Sequence, residues 1–161
     1  MVAYPSFVRH RARLRALREH PDAFTSTYED DSAQPVEVSA ARLASHPFWG
    51  SYQGAELYGF VGLEREQRAK NRHKATVVGM YVAPEVAGQG LGRALLAALL
   101  DHARREGLGS LVLTVTEGNE AALRLYQAVG FRTFGTEPDA IRVDGRSYAK
   151  IHMHLDLGTA P

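Results

Sequence analysis

The chain contains no cysteine among its 161 residues. That excludes disulfide bonds and a cysteine nucleophile. It also lacks a charge excess of either sign, the formal net charge being +1. A general basic field of the kind used to hold nucleic acid is therefore absent. No apolar run approaches the ~20 residues needed to span a bilayer. Met1 to Phe7 has no basic region followed by an apolar core, so no signal peptide is read there. Internal repeats and low-complexity tracts are missing too. A hydrophobic content of 45% suits a globular protein. Together these features predict one domain spanning residues 1–161 with one core, in the cytoplasm, with neither membrane nor nucleic acid as partner.

Residues 82–95 read V-A-P-E-V-A-G-Q-G-L-G-R-A-L. A β-rich run, Thr76 to Val82, ends at Pro84. Gly88, Gly90 and Gly92 alternate after it, and a helical run begins at Leu91. The first N–H groups of a helix lack internal partners, and the helix dipole favours negative charge there. Glycines let consecutive N–H groups curl inward with no side chain in the way. A phosphate or pyrophosphate is the ligand this arrangement suits. Two nucleotide motifs fit poorly. A P-loop would place Lys and Ser/Thr after the last glycine, where Arg93 and Ala94 stand. A dinucleotide loop needs a third glycine at Arg93.

Residues 110–131 read S-L-V-L-T-V-T-E-G-N-E-A-A-L-R-L-Y-Q-A-V-G-F. Leu111 to Thr116 read as a buried strand. Asn119 is a helix N-cap and Gly130 stands at the C′ position. Ala122, Tyr126 and Val129 share one helical face.

The G-x-G-x-G after V-x-P resembles the pyrophosphate loop of the GNAT acetyltransferase family. The second segment resembles that family's N-x-x-A-x-x-L-Y-x-x-x-G-F signature at Asn119, Ala122, Leu125, Tyr126, Gly130 and Phe131. The two come in the family's order and spacing, and the resemblance covers roughly residues 46–157. It implies an α/β fold with a twisted mixed sheet of six to seven strands and about four helices. The strand before each motif splays from the other, and the pantetheine arm of acetyl-CoA enters the gap. It further implies that acetyl-CoA, as co-substrate, contacts Met80, Tyr81, Val82, Ala87, Gly88, Gln89, Gly90, Leu91, Gly92, Arg93, Asn119, Ala122 and Tyr126.

The residues give this coarse order: a helix from Ser6 to His20, a loop over 22–36 and a helix from Val38 to Ser45. Strands follow at Phe48 to Gln53, Leu57 to Glu64 and 74–82. Next come helix 91–106, strand 110–116 and helix 120–129. Final strands at Phe131 to Gly135 and Tyr148 to Leu157 flank a tight turn at Asp144-Gly145. The family begins with a strand, and Met1 to Phe7 is short and weak for one. Gly79 inside a strand signals a bulge or a packing glycine.

The implied reaction is acetyl transfer to a primary amine of a small molecule, peptide or protein, by direct attack in a ternary complex. It requires an anchored thioester, a donor for the developing oxyanion and proton handling. The resemblance assigns the oxyanion donor to the main chain of Tyr81 or Val82 and the catalytic acid to Tyr126. The shared face with Ala122 and Val129 would equally make Tyr126 a core residue. Ala87 departs from the family's Arg or Gln, which predicts weaker CoA binding through a lost side-chain contact. Strand 74–82 carries no carboxylate to act as base; Glu64, Glu117, His152 and His154 are alternatives, as is a water chain. His152 and His154 share a strand face, but no third ligand accompanies them, so no metal is expected.

Five arginines line the first helix and read as a solvated face, with Leu14 and Leu17 as its apolar stripe. Glu29, Asp30 and Asp31 read either as a solvated loop or as an acidic lip that draws a cationic amine. Trp49 and Tyr52 either line the acceptor pocket or pack. The late strands are candidates to pair across a homodimer interface. Two other classes compete: a non-catalytic CoA-binding sensor that kept the fold, and a nucleotide-binding oxidoreductase using Glu117 to hold a ribose.

Overall fold

A computed structural model describes residues 6–158, apart from the side chains of Ser6, Phe7 and Leu43. The question of a first strand at Met1 to Phe7 falls on residues 1–5, outside the described ones, and on Ser6 and Phe7, which belong to the first helix. The elements run α1 (Ser6–Glu19), α2 (Tyr28–Ser32), α3 (Val36–Ala44), β1 (Phe48–Gln53), β2 (Glu56–Arg65) and β3 (Lys74–Val82). A 3₁₀ turn at Pro84–Val86 leads to α4 (Leu91–Arg105), β4 (Ser110–Thr116), α5 (Glu120–Ala128), β5 (Arg132–Val143) and β6 (Arg146–Asp156). The six strands form one sheet in the order β1-β2-β3-β4-β6-β5. Among the described residues only β3 and β4 run parallel; the other neighbours are antiparallel. The mixed α/β architecture is the one the two motifs imply.

Two cores lie on opposite sides of the sheet. Leu95, Leu96, Leu99, Leu100 and Ala103 form the buried stripe of α4. They pack on Val61, Leu63, Val77, Leu111, Leu113 and Met153, with Tyr126 and Phe131 at one end. The other face takes α1, whose Val8, Ala12 and Ala16 sit on Leu57, Phe60, Tyr81 and Ala83. Of the expected apolar stripe, Leu17 is fully buried and Leu14 only half-buried, and small residues one turn apart supply the rest.

Both central helices close with the same backbone device. After α4, Leu108 N–H reaches Ala103 O (3.0 Å) and Gly107 N–H reaches Arg104 O (3.0 Å). After α5, Phe131 N–H reaches Tyr126 O (3.1 Å) and Gly130 N–H reaches Gln127 O (3.0 Å). These are Schellman closures, and they need the left-handed conformation found at Gly107 (φ 69°) and Gly130 (φ 108°). The second brings the Phe131 ring edge-on to Tyr126, centroids 5.9 Å apart.

Two regions differ from the sequence expectation. The segment 22–36 is not simply a loop: it contains α2, capped by Thr27, whose side chain accepts from Asp30 N–H at 3.0 Å. Asp31 is buried there and binds the guanidinium of Arg13, with Arg42 at 3.1 Å. Asp31 is therefore withdrawn from any acidic lip, because two arginines consume it, while Glu29 and Asp30 stay exposed. Likewise β5 extends to Val143, well beyond Gly135, as one arm of a long hairpin with β6 closed by Asp144-Gly145. Its mostly exposed residues lack the alternation that marks a half-buried strand.

Burial opposes ionisation of Asp31, but the Arg13 hydrogen bond and charge, then Arg42, outweigh it and hold the carboxyl below its usual value. Asp31→Asn strands the largely buried Arg13 guanidinium and should cost about 3 kcal/mol in denaturant unfolding at pH 7. A depressed folded pKa stabilises only while the group is ionised. The gap between native and variant should therefore be full above the ordinary value of 3.8 and close as pH falls further, through the lowered folded value. A variant within about 0.5 kcal/mol of native at pH 7 would contradict this pairing.

Candidate active site

The site starts from a failure of strand pairing. β3 and β4 are in register only at Lys74–Ser110, Ala75–Leu111 and Thr76–Val112. Beyond Thr76 they part. Gly79, at φ 64°, bends β3 at the point where its register with β2 shifts, so one β2 residue, Val61, faces two on β3. An L-residue rarely adopts that conformation, which accounts for the glycine. The parting strands leave a cleft of about 450 Å³ lined by Thr76 to Met80, Thr114 to Thr116, Asn119, Ala122 and Tyr126. Thr116 Oγ1 donates to Asp22 O (2.6 Å) and Lys150 Nζ to Thr25 Oγ1 (2.8 Å), holding the segment after α1 across one side of the cleft.

The glycine loop stands after the end of β3. Gly88 (φ 77°) and Gly90 (φ 81°) are left-handed, with open space where a Cβ would stand. Gly90 is the N-cap of α4 and offers no capping side chain. The N–H groups of Gly88, Gly90, Leu91, Gly92 and Arg93 have no hydrogen-bond partner among the described residues. Five free donors thus lie within six residues at a helix N-terminus, the sequence of amides an anion cradle needs. Gly92 serves a different purpose: a Cβ there would come within 2.9 Å of Leu125 Cδ2, so it lets α4 and α5 approach. Arg93 is exposed and forms no ion pair among the described residues. A cation at a helix N-terminus is unfavourable on its own and favourable beside a bound anion.

Ala87 and Gln89 differ from their neighbours. Ala87 N–H closes on Pro84 O (3.2 Å) and Gln89 N–H on Val86 O (3.4 Å). Their amides shape the turn instead of facing outward. Tyr81 also turns away. Ala83 N–H donates to Tyr58 O on β2 at 2.7 Å. Backbone direction alternates along a strand, so Tyr81 N–H also points to β2 and Val82 N–H points to the side β4 has vacated. Of the two oxyanion donors considered, Val82 is the one the backbone direction allows. The Tyr81 phenol instead donates to Glu19 (2.6 Å), which also takes Arg15 (2.7 Å). Arg15 reaches on to Glu85 at 2.5 Å in the 3₁₀ turn. This chain fastens α1 to the root of the glycine loop. Burial works against the Glu19 carboxylate, but the Tyr81 and Arg15 hydrogen bonds prevail and lower its pKa.

On the opposite wall, Asn119 Oδ1 accepts from Ala122 N–H (3.2 Å), capping α5 as expected, and the residue lines the cleft. Tyr126 is 5% exposed, lines the same cleft and makes no hydrogen bond among the described residues. Burial pushes its phenol above the usual tyrosine value, so it keeps its proton through neutral pH. It packs and faces the cleft at once.

Of the proposed bases, only Glu64 lines the cleft. Glu117 accepts from Ala149 N–H at 3.2 Å and is tied to β6. His152 pairs with Glu137 at 3.0 Å on the β5–β6 hairpin, and among the described residues no cluster of three metal-ligating side chains occurs. Trp49 packs edge-on to His102 of α4 (5.2 Å) and Tyr52 joins the α1 core; neither lines the cleft. The sequence pattern did not single out Lys150, which partial burial leaves with a lowered pKa, or Arg13, on the cleft walls. No described helix is long and apolar enough to cross a membrane.

Residues 13–131 match the acetyltransferase (GNAT) family. The chain is 35% identical over 118 residues to the N-alpha-acetyltransferase RimI of Mycobacterium tuberculosis, covering 72% of each. It is 32% identical over 152 residues to the L-amino acid N-acyltransferase MnaT of Escherichia coli, covering 91% of this chain and 88% of that one. Among solved structures it resembles yncA of Salmonella typhimurium, described as a putative acetyltransferase with its cofactor acetyl-CoA. There the TM-score is 0.76 at 25% identity over 97% of this chain and 88% of the other.

Gly90→Ala forces a Cβ into a left-handed N-cap beside the free amides, at a cost of about 1 kcal/mol. The free loop can shed that strain by leaving the left-handed conformation, which acetyl-CoA must then restore, so calorimetric titration should give a dissociation constant raised by up to about fivefold. An unchanged constant would mean the loop is not the anchor.

Proposed function

Because the chain belongs to the acetyltransferase (GNAT) family, we propose that it transfers the acetyl group of acetyl-CoA to the nitrogen of a primary amine by direct attack. The observation that carries this reading is that β3 joins two features: it walls the cleft that the Tyr126 phenol lines, and it leads to five unpartnered amides at the start of α4, where Gly92 stands beside Met80 and Val82. Acetyl-CoA is the co-substrate and supplies the activated acyl group.

The residues divide the work as follows. Gly88, Gly90, Leu91, Gly92 and Arg93 hold the pyrophosphate through main-chain N–H groups, with the Arg93 charge beside them. Ala87 contributes its place in the turn and Gln89 likewise, so the missing Arg or Gln side chain at 87 weakens binding without removing the cradle. Met80 and Ala122 give the cleft apolar walls, and Asn119 offers its amide to the pantetheine arm. Val82 N–H donates to the carbonyl oxygen as it gains charge. The amine nitrogen attacks the thioester carbon; the C–N bond forms and the C–S bond breaks. The nitrogen's proton passes to Glu64, directly or through water, and the departing sulfur takes the Tyr126 proton. No acyl-enzyme is needed, in keeping with a chain that has no cysteine.

A binding-only sensor is disfavoured, since the relatives are named acetyltransferases across most of this chain. The oxidoreductase reading loses its ribose ligand, Glu117 being bound to β6. Those relatives are named differently, one as an N-alpha-acetyltransferase and the other as an L-amino acid N-acyltransferase, so the family alone leaves the acceptor open. We place the reaction in the cytoplasm because its co-substrate is an intracellular metabolite. The exposed edge strand β5, with Phe134 64% exposed, is the surface on which a homodimer would form.

Tyr126→Phe should lower kcat about a hundredfold with little change in the acetyl-CoA KM. Glu64→Gln should lower kcat/KM for the amine, by a factor that shrinks as pH rises and more amine is already neutral. An unchanged kcat in the first variant, or a pH-independent loss in the second, would remove that residue from the proton path.

A further inference from the structure

A second cleft, of about 310 Å³, adjoins the first and shares Arg13, Glu64, Val78 and Gly79 with it. The two therefore meet at the bend of β3, where an acetyl group held in the first would be presented to a molecule held in the second. We propose that the second cleft is the acceptor site and that it selects amines bearing a carboxylate, on the scale of a free amino acid. This rests on the acetyl-transfer reading above.

Charge is the first ground. Arg9, Arg13 and Arg42 stand on the walls of this cleft, against a single wall carboxylate, Glu64. Arg13 and Arg42 share Asp31 behind them. Arg9 has no carboxylate partner among the described residues. Three guanidiniums facing two carboxylates leave one positive charge, which an acceptor carboxylate would balance.

The second ground is the state of Arg9. Its guanidinium carbon lies over the Phe48 ring, 4.8 Å from the centroid, a contact that holds the head group at this wall. Its Nε is buried without a hydrogen-bond partner. A buried donor left unmet is costly, and a planar guanidinium held on an aromatic face is preset for two parallel bonds to a carboxylate. The third ground is size and lining. Phe48 stacks on Phe60, centroids 5.5 Å apart, giving the cleft an apolar wall for an acceptor side chain. A volume near the lower end of small-ligand pockets suits one amino acid better than a folded polypeptide end. With its carboxylate at Arg9, the acceptor would turn its amine toward Glu64 and the bend at Gly79.

The test compares matched amines in a thiol-release assay at fixed acetyl-CoA: methionine against methioninamide, phenylalanine against phenethylamine, and a short peptide with a free N-terminus. The native protein should prefer each carboxylate partner by tenfold or more in kcat/KM, through KM. Arg9→Gln should reduce that preference to threefold or less, and Arg9→Lys should retain part of it. The native comparison stands even if a variant folds poorly. Equal or better turnover of the uncharged partners or the peptide would overturn the inference, as would a preference untouched by Arg9→Gln. Calorimetry with acetyl-CoA on the same native sample separates the two failures. Intact acetyl-CoA binding with no carboxylate preference overturns the acceptor assignment alone; no acetyl-CoA binding overturns it together with the acetyl-transfer reading.

Discussion

The structure depends on two parallel strands that cannot stay together. β3 and β4 pair over three residues and then separate, while each remains held by its antiparallel neighbour on the other side. Main-chain groups on the inner edges lose their strand partners, and buried main-chain groups seek partners. A gap of this kind persists only where something polar occupies it, and an extended amide-bearing arm is well matched to it. The bend at Gly79 sets where the gap opens, and the α1 core fixes the outer face of β3 by burying Tyr81 against Val8, Ala12 and Ala16.

The two helices that border the gap begin in opposite ways. α5 is capped: Asn119 satisfies an amide with its own side chain. α4 begins at a glycine that satisfies none. A polar N-cap in place of glycine changes stability by only a few tenths of a kcal/mol, so an open start is tolerated at small cost. The unpartnered amides and the nearby Arg93 charge are then available to a phosphate. The C-terminal ends, by contrast, are both sealed by Schellman closures. The closure on α5 also seats Tyr126 against Phe131, so one glycine, Gly130, contributes both to ending the helix and to aiming the phenol.

Much of this was legible in the sequence because it is written in local signals. Alternating glycines, an Asn cap and a Gly-Phe exit are short-range features, and each motif contains its own strand, turn and helix. The bulge was announced by Gly79. Less legible were features that depend on distant partners. Asp31 looked like one of three solvated acids until Arg13 and Arg42 closed on it. The Thr27 cap on Asp30 was a local signal that would have revealed α2. The outer half of β5 carries no hydrophobic period because its side chains face solvent, and only its pairing with β6 makes it a strand. The direction of the amides at Tyr81, Ala87 and Gln89 follows from register and turn geometry, which residue identity does not encode. The arginines of α1 read as a solvated face because a helix wheel does not show that Arg9 and Arg13 meet a cleft formed by later strands.

The most direct test of the account follows individual backbone amides by NMR during titration with acetyl-CoA. The unpartnered donors at Gly88, Gly90, Leu91, Gly92 and Arg93, with Val82 at the end of β3, should show the largest shifts. Ala87, Gln89 and Tyr81, whose amides are already engaged, should move much less. Shifts concentrated on the β5–β6 hairpin, or equal at Ala87 and Gly88, would contradict the account of the parted strands and the open helix start.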